Sequence, residues 1–298
     1  MFAANRPAVL SAMMDAPLPV PYRLIGASRP TVPVVITVPH AGRHYPPELD
    51  RLARVPRSVL ERLEDRYADA LASLVADQGF SVLVATIARA FIDLNRSEDE
   101  WDSLLIGDDR PRIPPAHRVR AGLGLVPRRL MPEGELWQRP LRRFELERRL
   151  DTVHRPWHGE IERLLGLASA AGGGRAVLID LHSMPTQPDS VPHFVVGDRH
   201  GLTASSELVD RLLAEGEGAG LTVARNAPYA GAYTIQRHGR RRAGVEAVQI
   251  EFDRALYLDS TGEPDAAAVA RMGDLVARLA HAAADHVAGC SRWPLAAE

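Results

Sequence analysis

Two histidines in this chain follow runs that read as strands. His40 lies in Pro39-His40-Ala41-Gly42, after the β-branched run Val34–Val38. His182 lies in Asp180-Leu181-His182-Ser183, after Val177–Ile179. Ile92-Asp93-Leu94-Asn95-Arg96 follows the run Ser81–Ala85, and Gln249-Ile250-Glu251 sits within Val248–Phe252. An α/β sheet binds its ligands outside the carboxyl ends of its strands, so these residues would meet at one edge. Histidine and carboxylate ligands with a retained water describe a catalytic zinc site. There the metal lowers the water's pKa to about 7 and a nearby glutamate can take its proton. Asp180 and His182 are two residues apart on extended chain and share a face. Asp180 could orient a ligand or hydrogen-bond a turn. Glu251 stands among apolar residues, where burial would raise its pKa and a metal would lower it. A core ion pair with an arginine is the other reading of Glu251.

The elements that must position these residues are short apolar strands alternating with helical patterns. Further runs are Ala176–Leu181, His193–Val196 and Leu221–Ala224. Pro56 to Ala76 reads as one helix, with Leu60, Leu63, Tyr67, Leu71 and Leu74 on one stripe. Pro140 to Ala170 reads as a long helix kinked at Pro156, and 203–215 and 265–288 as two more. The pattern predicts a three-layer α/β fold whose central sheet is mostly parallel or mixed and flanked by helices. Residues 97–140 break the rhythm with Pro111, Pro114, Pro115, Pro127, Pro132 and Pro140. That stretch reads as a functional insertion, a lid or specificity loop. Residues 1–30 read as an N-terminal extension, and 31–298 as a single domain carrying the insertion.

Composition narrows the chemistry. The 298 residues carry a formal net charge of -2, so no global field recruits nucleic acid or an acidic membrane. None of the 36 basic residues is a lysine, which excludes a Schiff base and a P-loop lysine. Cys290 is the sole cysteine, so there is no disulfide within the chain and no cysteine-based zinc knuckle. Residues 1–30 lack the apolar stretch of a signal peptide and no run approaches a bilayer span, so the expected location is the cytoplasm. No HExxH frame surrounds His154 and His158, and no Gly-x-Ser-x-Gly elbow occurs.

The motifs above form an ordered series. Pro39-His40-Ala41-Gly42 is followed by Glu64-Asp65-Arg66-Tyr67-Ala68-Asp69, Ile92-Asp93-Leu94-Asn95-Arg96 and Gly122-Leu123-Gly124-Leu125-Val126-Pro127. Then come Arg155-Pro156-Trp157-His158 and Asp180-Leu181-His182-Ser183. Gly231-Ala232-Tyr233-Thr234 with Arg237-His238-Gly239, and Gln249-Ile250-Glu251 with Leu256-Tyr257-Leu258-Asp259, close the series. The series, from about residue 33 to about 285, resembles the N-formylglutamate amidohydrolase family. Two departures, Arg66-Tyr67 and Gly231-Ala232, bear on pocket shape rather than on the proposed ligands.

The resemblance implies a fold related to zinc carboxypeptidases, and thus zinc-exopeptidase-like, with Zn2+ or another divalent metal. It implies His40, Asp65 and His182 as ligands, with Asp65 on the helix 56–76 and Asp69 behind it. Glu64 is the alternative carboxylate, since neighbouring helical residues point about 100° apart. It implies Glu251 as general base and His238 as a donor to the oxyanion. Asn95 and Arg96 look like a carboxylate-binding pair, with Arg237 as the second cationic contact for a substrate bearing two carboxylates. The implied reaction is hydrolysis of the N-formyl amide of an acidic amino acid, N-formyl-L-glutamate, to formate and L-glutamate. The partner would be a small N-acyl amino acid, not nucleic acid or membrane. Alternatives are the same chemistry on another N-acyl amino acid or a peptidoglycan-type amide, and a non-catalytic binding protein with this fold.

Overall fold

Short β-branched runs build the sheet in the computed structural model, which describes residues 18–107, 117–186 and 192–290. Its strands are β1 (Tyr22–Gly26), β2 (Val34–Val38), β3 (Ser81–Ala85), β6 (Ala176–Met184), β7 (Phe194–Gly197), β8 (Val223–Arg225) and β9 (Val245–Asp253). A separate two-residue ribbon pairs β4 (Arg129–Leu130) with β5 (Gly134–Glu135). The main sheet has seven strands in the order β1-β3-β2-β6-β9-β7-β8. β3, β2, β6 and β9 are mutually parallel, while β1 and the β7–β8 pair run against them. Every residue of β2, β3 and β6 is buried, as in a parallel sheet covered on both faces.

Side-chain alternation sends each strand's residues to two different layers. Val34, Ile36, Val38, Ile179, Val248 and Ile250 belong to the core packed by helices Ala68–Ala76, Ser206–Gly218 and Ala266–Cys290. Val35, Leu178 and Ala247 face the other way, into a core with Trp157, Ile161 and Leu164 of helix Arg155–Ala171. On that second face β6 runs Ala176, Leu178, Asp180, His182, and β9 runs Ala247, Gln249, Glu251. The lower half of each column is apolar and the upper half is polar. The site therefore sits at the carboxyl ends of β2, β6 and β9.

Three expectations meet differences. The single helix over 56–76 is broken into helix Arg57–Leu60, a 3-10 turn Glu61–Leu63 and helix Ala68–Ala76. Between them Glu64 is extended at φ -73 and ψ 152, and Tyr67 is left-handed at φ 60. Long-range contacts hold the break against the local periodicity. Asp65 N–H donates to His40 O at 2.9 Å, Tyr257 Oη to Arg66 O at 2.9 Å, and Arg254 Nη2 to Glu64 O at 2.5 Å. Asp65 thus stands on a non-helical corner, and the 100° argument about Glu64 does not apply.

The long helix does run on through Pro156. A π-helical turn, Leu150–His154, joins Arg143–Arg149 to Arg155–Ala171, so the irregularity in the helix lies in the turn just before Pro156. In the 97–140 stretch, residues 108–116 lie outside the described residues. The rest is a packed irregular layer that buries Leu105, Ile106, Leu125, Leu136 and Trp137, with Trp137 Nε1 donating to Pro127 O at 2.7 Å. Within the stretch 1–30, β1 is an edge strand of the main sheet.

Candidate active site

Register brings the site together. On the parallel pair β6–β9, His182 is opposite Glu251 and Asp180 is opposite Gln249. On β2–β6, Thr37 is opposite Asp180. His40 follows β2 in a tight turn where Gly42 is required, since a Cβ there would meet Ile87 O at 2.0 Å.

Three donor atoms converge. His40 Nδ1 and His182 Nδ1 are 3.1 Å apart, and Asp65 Oδ2 lies 3.3 Å from the first and 3.0 Å from the second. All three residues are buried. Each ring's far nitrogen faces a carboxylate: His40 Nε2 donates to Asp93 Oδ1 at 2.7 Å, and His182 Nε2 donates to Asp180 Oδ2 at 2.9 Å. A carboxylate only accepts, so each Nε2 carries a proton, and Nδ1 is the nitrogen that can give up its proton and offer a lone pair to a cation beside the Asp65 oxygen. Such a set suits a divalent cation, with the outer carboxylates fixing the tautomers.

Surrounding charges tune the group. Asp93 is held well below the usual carboxylate range, since Arg89 at 2.8 Å and His40 outweigh the opposing effect of burial. Asp65 is also held low: burial would raise it, but hydrogen bonds with His182 and His40 prevail. Its second oxygen, Oδ1, accepts from Arg254 Nη2 at 3.0 Å. Glu64 turns away to accept from the Tyr45 hydroxyl. The geometry thus favours Asp65 over Glu64 as the third donor.

Glu251 is buried, and burial raises its carboxyl pKa despite the nearby His182. Gln249 Nε2 donates to Glu251 Oε1 at 2.7 Å. Gln249 Oε1 accepts from Asn95 Nδ2 at 3.1 Å and from Ala232 N at 3.0 Å. Asn95 Oδ1 accepts from Thr234 N at 2.8 Å. Asn95 thus ties the support of Glu251 to the backbone of Thr234, and it also lines the cavity.

A cavity of about 200 Å³ opens over these groups, lined by His40, Asp65, Asn95, Arg96, His182 and Glu251 among others. That is small beside the roughly 300–1,000 Å³ of sites for drug-sized ligands, and suits a compact metabolite. Arg96 belongs to the wall. Arg237 and His238 do not. Arg237 Nη1 donates to Tyr233 Oη at 2.8 Å, outside the lining. His238 Nε2 is 3.0 Å from His158 Nδ1, in a buried stack with His158 that includes His154. His158 Nε2 donates to Leu94 O at 3.0 Å and His154 Nε2 to Arg96 O at 2.8 Å. These histidines brace the backbone beneath Asn95 and Arg96 instead of reaching the cavity. Asp69 pairs with Arg23 and Arg43, away from the donor trio.

Sequence reasoning did not single out Asp93, Gln249 or Arg254 as site residues. For Gln249 a signal existed: it shares a strand face with Glu251, as Asp180 does with His182.

Comparison with known proteins places the chain among its relatives. The N-formylglutamate amidohydrolase family profile matches residues 32–258. The N-formylglutamate deformylase of Pseudomonas putida is 28% identical over 237 residues, covering 77% of this chain and 83% of the relative. The Pseudomonas aeruginosa deformylase is 27% identical over 245 residues, covering 79% and 86%. A crystal structure of N-formylglutamate amidohydrolase from Ralstonia eutropha superposes with a TM-score of 0.81 at 31% identity, covering 90% of this chain and 99% of that one. A gene product from Agrobacterium tumefaciens shares the fold, with a TM-score of 0.65 at 19% identity over 90% and 96% of the two chains. The chain belongs to the N-formylglutamate amidohydrolase family.

Proposed function

We propose that the protein hydrolyses N-formyl-L-glutamate to formate and L-glutamate, with zinc held by His40 Nδ1, Asp65 Oδ2 and His182 Nδ1. The observation that carries this is the convergence of those three donors beside Glu251, in a small cavity rich in arginine. A divalent metal there would supply Lewis acidity and make water a competent nucleophile near neutral pH.

The chain's own residues do the rest. Asp93 and Asp180 keep both histidines as Nε2–H tautomers, so that Nδ1 is the donor. Glu251 takes a proton from the attacking water and returns it to the departing amide nitrogen, so its carboxylate is regenerated with each turnover. Gln249 and Asn95 hold that carboxylate in place. Arg96 offers Nη2 to the substrate's α-carboxylate; this buried nitrogen has no hydrogen-bond partner among the described residues.

The test combines metal analysis of metal-replete protein with a panel of N-formyl and N-acetyl amino acids. The expected result is near-stoichiometric zinc and a preference for N-formyl-L-glutamate. Metal below about a tenth of an equivalent would reject the metal centre. Equal rates on acidic and neutral side chains would reject the substrate.

A further inference from the structure

The cavity is lined by five guanidiniums, those of Arg62, Arg89, Arg96, Arg118 and Arg254. Three are spent on acidic partners: Arg62 on Glu133, Arg89 on Asp93 at 2.8 Å, and Arg254 on Asp65 at 3.0 Å. Arg96 and Arg118 have no ion-pair partner among the described residues. Arg96 gives Nε to Leu123 O at 3.0 Å and Nη1 to Asn95 O at 2.9 Å, both neutral carbonyls, and its Nη2 is free. Arg118 lies over the ring of Tyr229, 5.8 Å from its centroid, and Tyr229 also lines the cavity. Burial lowers the Arg96 pKa, Asp93 opposes that, and Arg89 and Arg118 add to the lowering. Two guanidiniums without an ion-pair partner among the described residues, on one small cavity, suit an anion with two carboxylates.

We propose that Arg118 reads the substrate's side chain, binding the γ-carboxylate while Arg96 takes the α-carboxylate. This rests on the activity proposed above. The assignment of ends follows from placement. Arg96 adjoins Asn95, which is linked through Gln249 to Glu251, and it lines the cavity together with the donor trio, so Arg96 lies beside the reacting centre. The α-carboxylate is attached to the carbon that carries the scissile amide. Arg118, on the short helix His117–Arg120, lines the same cavity but is exposed where Arg96 is buried, so it is the one assigned to the far end of an extended acidic side chain. The Tyr229 ring, within cation–π reach of the guanidinium, restricts it and so cuts the ordering cost of gripping a planar carboxylate. The proline-rich stretch thereby contributes the residue that separates acidic from neutral substrates.

The test uses metal-loaded full-length protein, with Arg118→Gln and Arg118→Lys beside the parent. kcat/KM is measured on N-formyl-L-glutamate and N-formyl-L-glutamine, and glutarate binding by calorimetry. The expected result is that Arg118→Gln lowers the glutamate-to-glutamine preference by about 30–100-fold and weakens glutarate by about as much. Arg118→Lys, which keeps the charge but loses the fork, falls between. An Arg118→Gln variant with the parent's preference and glutarate affinity overturns the assignment. A parent that binds glutarate through Arg118 but hydrolyses neither substrate overturns the proposed activity instead.

Discussion

Asp180 and His182 stand two residues apart on β6, with Oδ2 of the first 2.9 Å from Nε2 of the second. Thr37 Oγ1 donates to the other Asp180 oxygen at 2.6 Å from the neighbouring strand. The carboxylate is thus fixed from both sides, and it turns His182 Nδ1 into the cavity. Asp180→Asn keeps the shape and removes the charge. We expect metal affinity about 10–100-fold weaker, with far-UV circular dichroism unchanged. Competition against a chromophoric chelator measures it, and parental affinity in the variant would sink the assigned role.

Glu251→Gln preserves the contact with Gln249 and abolishes the base. kcat should fall by about 10²–10⁴-fold while zinc content stays near the parent's. Full activity in this variant would reject Glu251 as the proton carrier.

Gly42→Ala places a Cβ against the Ile87 peptide, 2.0 Å from its oxygen and 2.5 Å from its carbon. Backbone cannot step aside cheaply, so the turn carrying His40 must shift. The expected cost is about 1–3 kcal/mol in urea unfolding, together with weaker metal binding. A variant equal to the parent in both would show that the turn tolerates displacement.

Three buried histidines set an acid limit on stability. Burial, with neighbouring positive charge, pushes His238 down to about 3 and His158 well below its ordinary range, and burial lowers His154. Folded protein keeps them neutral, while the unfolded chain binds protons near pH 6.5. The unfolded state thus holds more protons below that value, and stability falls as pH falls from about 6.5 toward about 3. Each such histidine contributes a slope of up to about 1.4 kcal/mol per pH unit. Urea midpoints at pH 7, 6 and 5 should decline, and His238→Gln should flatten the decline. A midpoint independent of pH over that window would contradict the neutral stack.

Much of the site was legible because it is written on strands. The β-branched runs marked β2, β3, β6 and β9, and the period of two put Asp180 beside His182. What escaped was set by long-range contacts that local patterning cannot carry. The corner at Asp65 exists because His40, Arg254 and Tyr257 hold it, against a stripe that read as one helix. Arg237 and His238 share a motif with Thr234, whose N–H does reach the site, yet the helix Tyr233–His238 turns them behind the wall. Arg118 carried no signal in an arginine-rich chain, because only the fold shows which guanidiniums are already paired.

The donors stand on unlike supports. β6 is hydrogen-bonded between β2 and β9, and β9 between β6 and β7. Asp65 rests on a short corner held by a few side chains and one bond to His40 O. Opening of the corner needs only those contacts to part, whereas freeing His182 requires the sheet to come apart. A bound metal would therefore exchange through the Asp65 side, at a rate governed by the grip of Arg254 rather than by unfolding. Loss of the ion and loss of the fold become separate events on separate clocks.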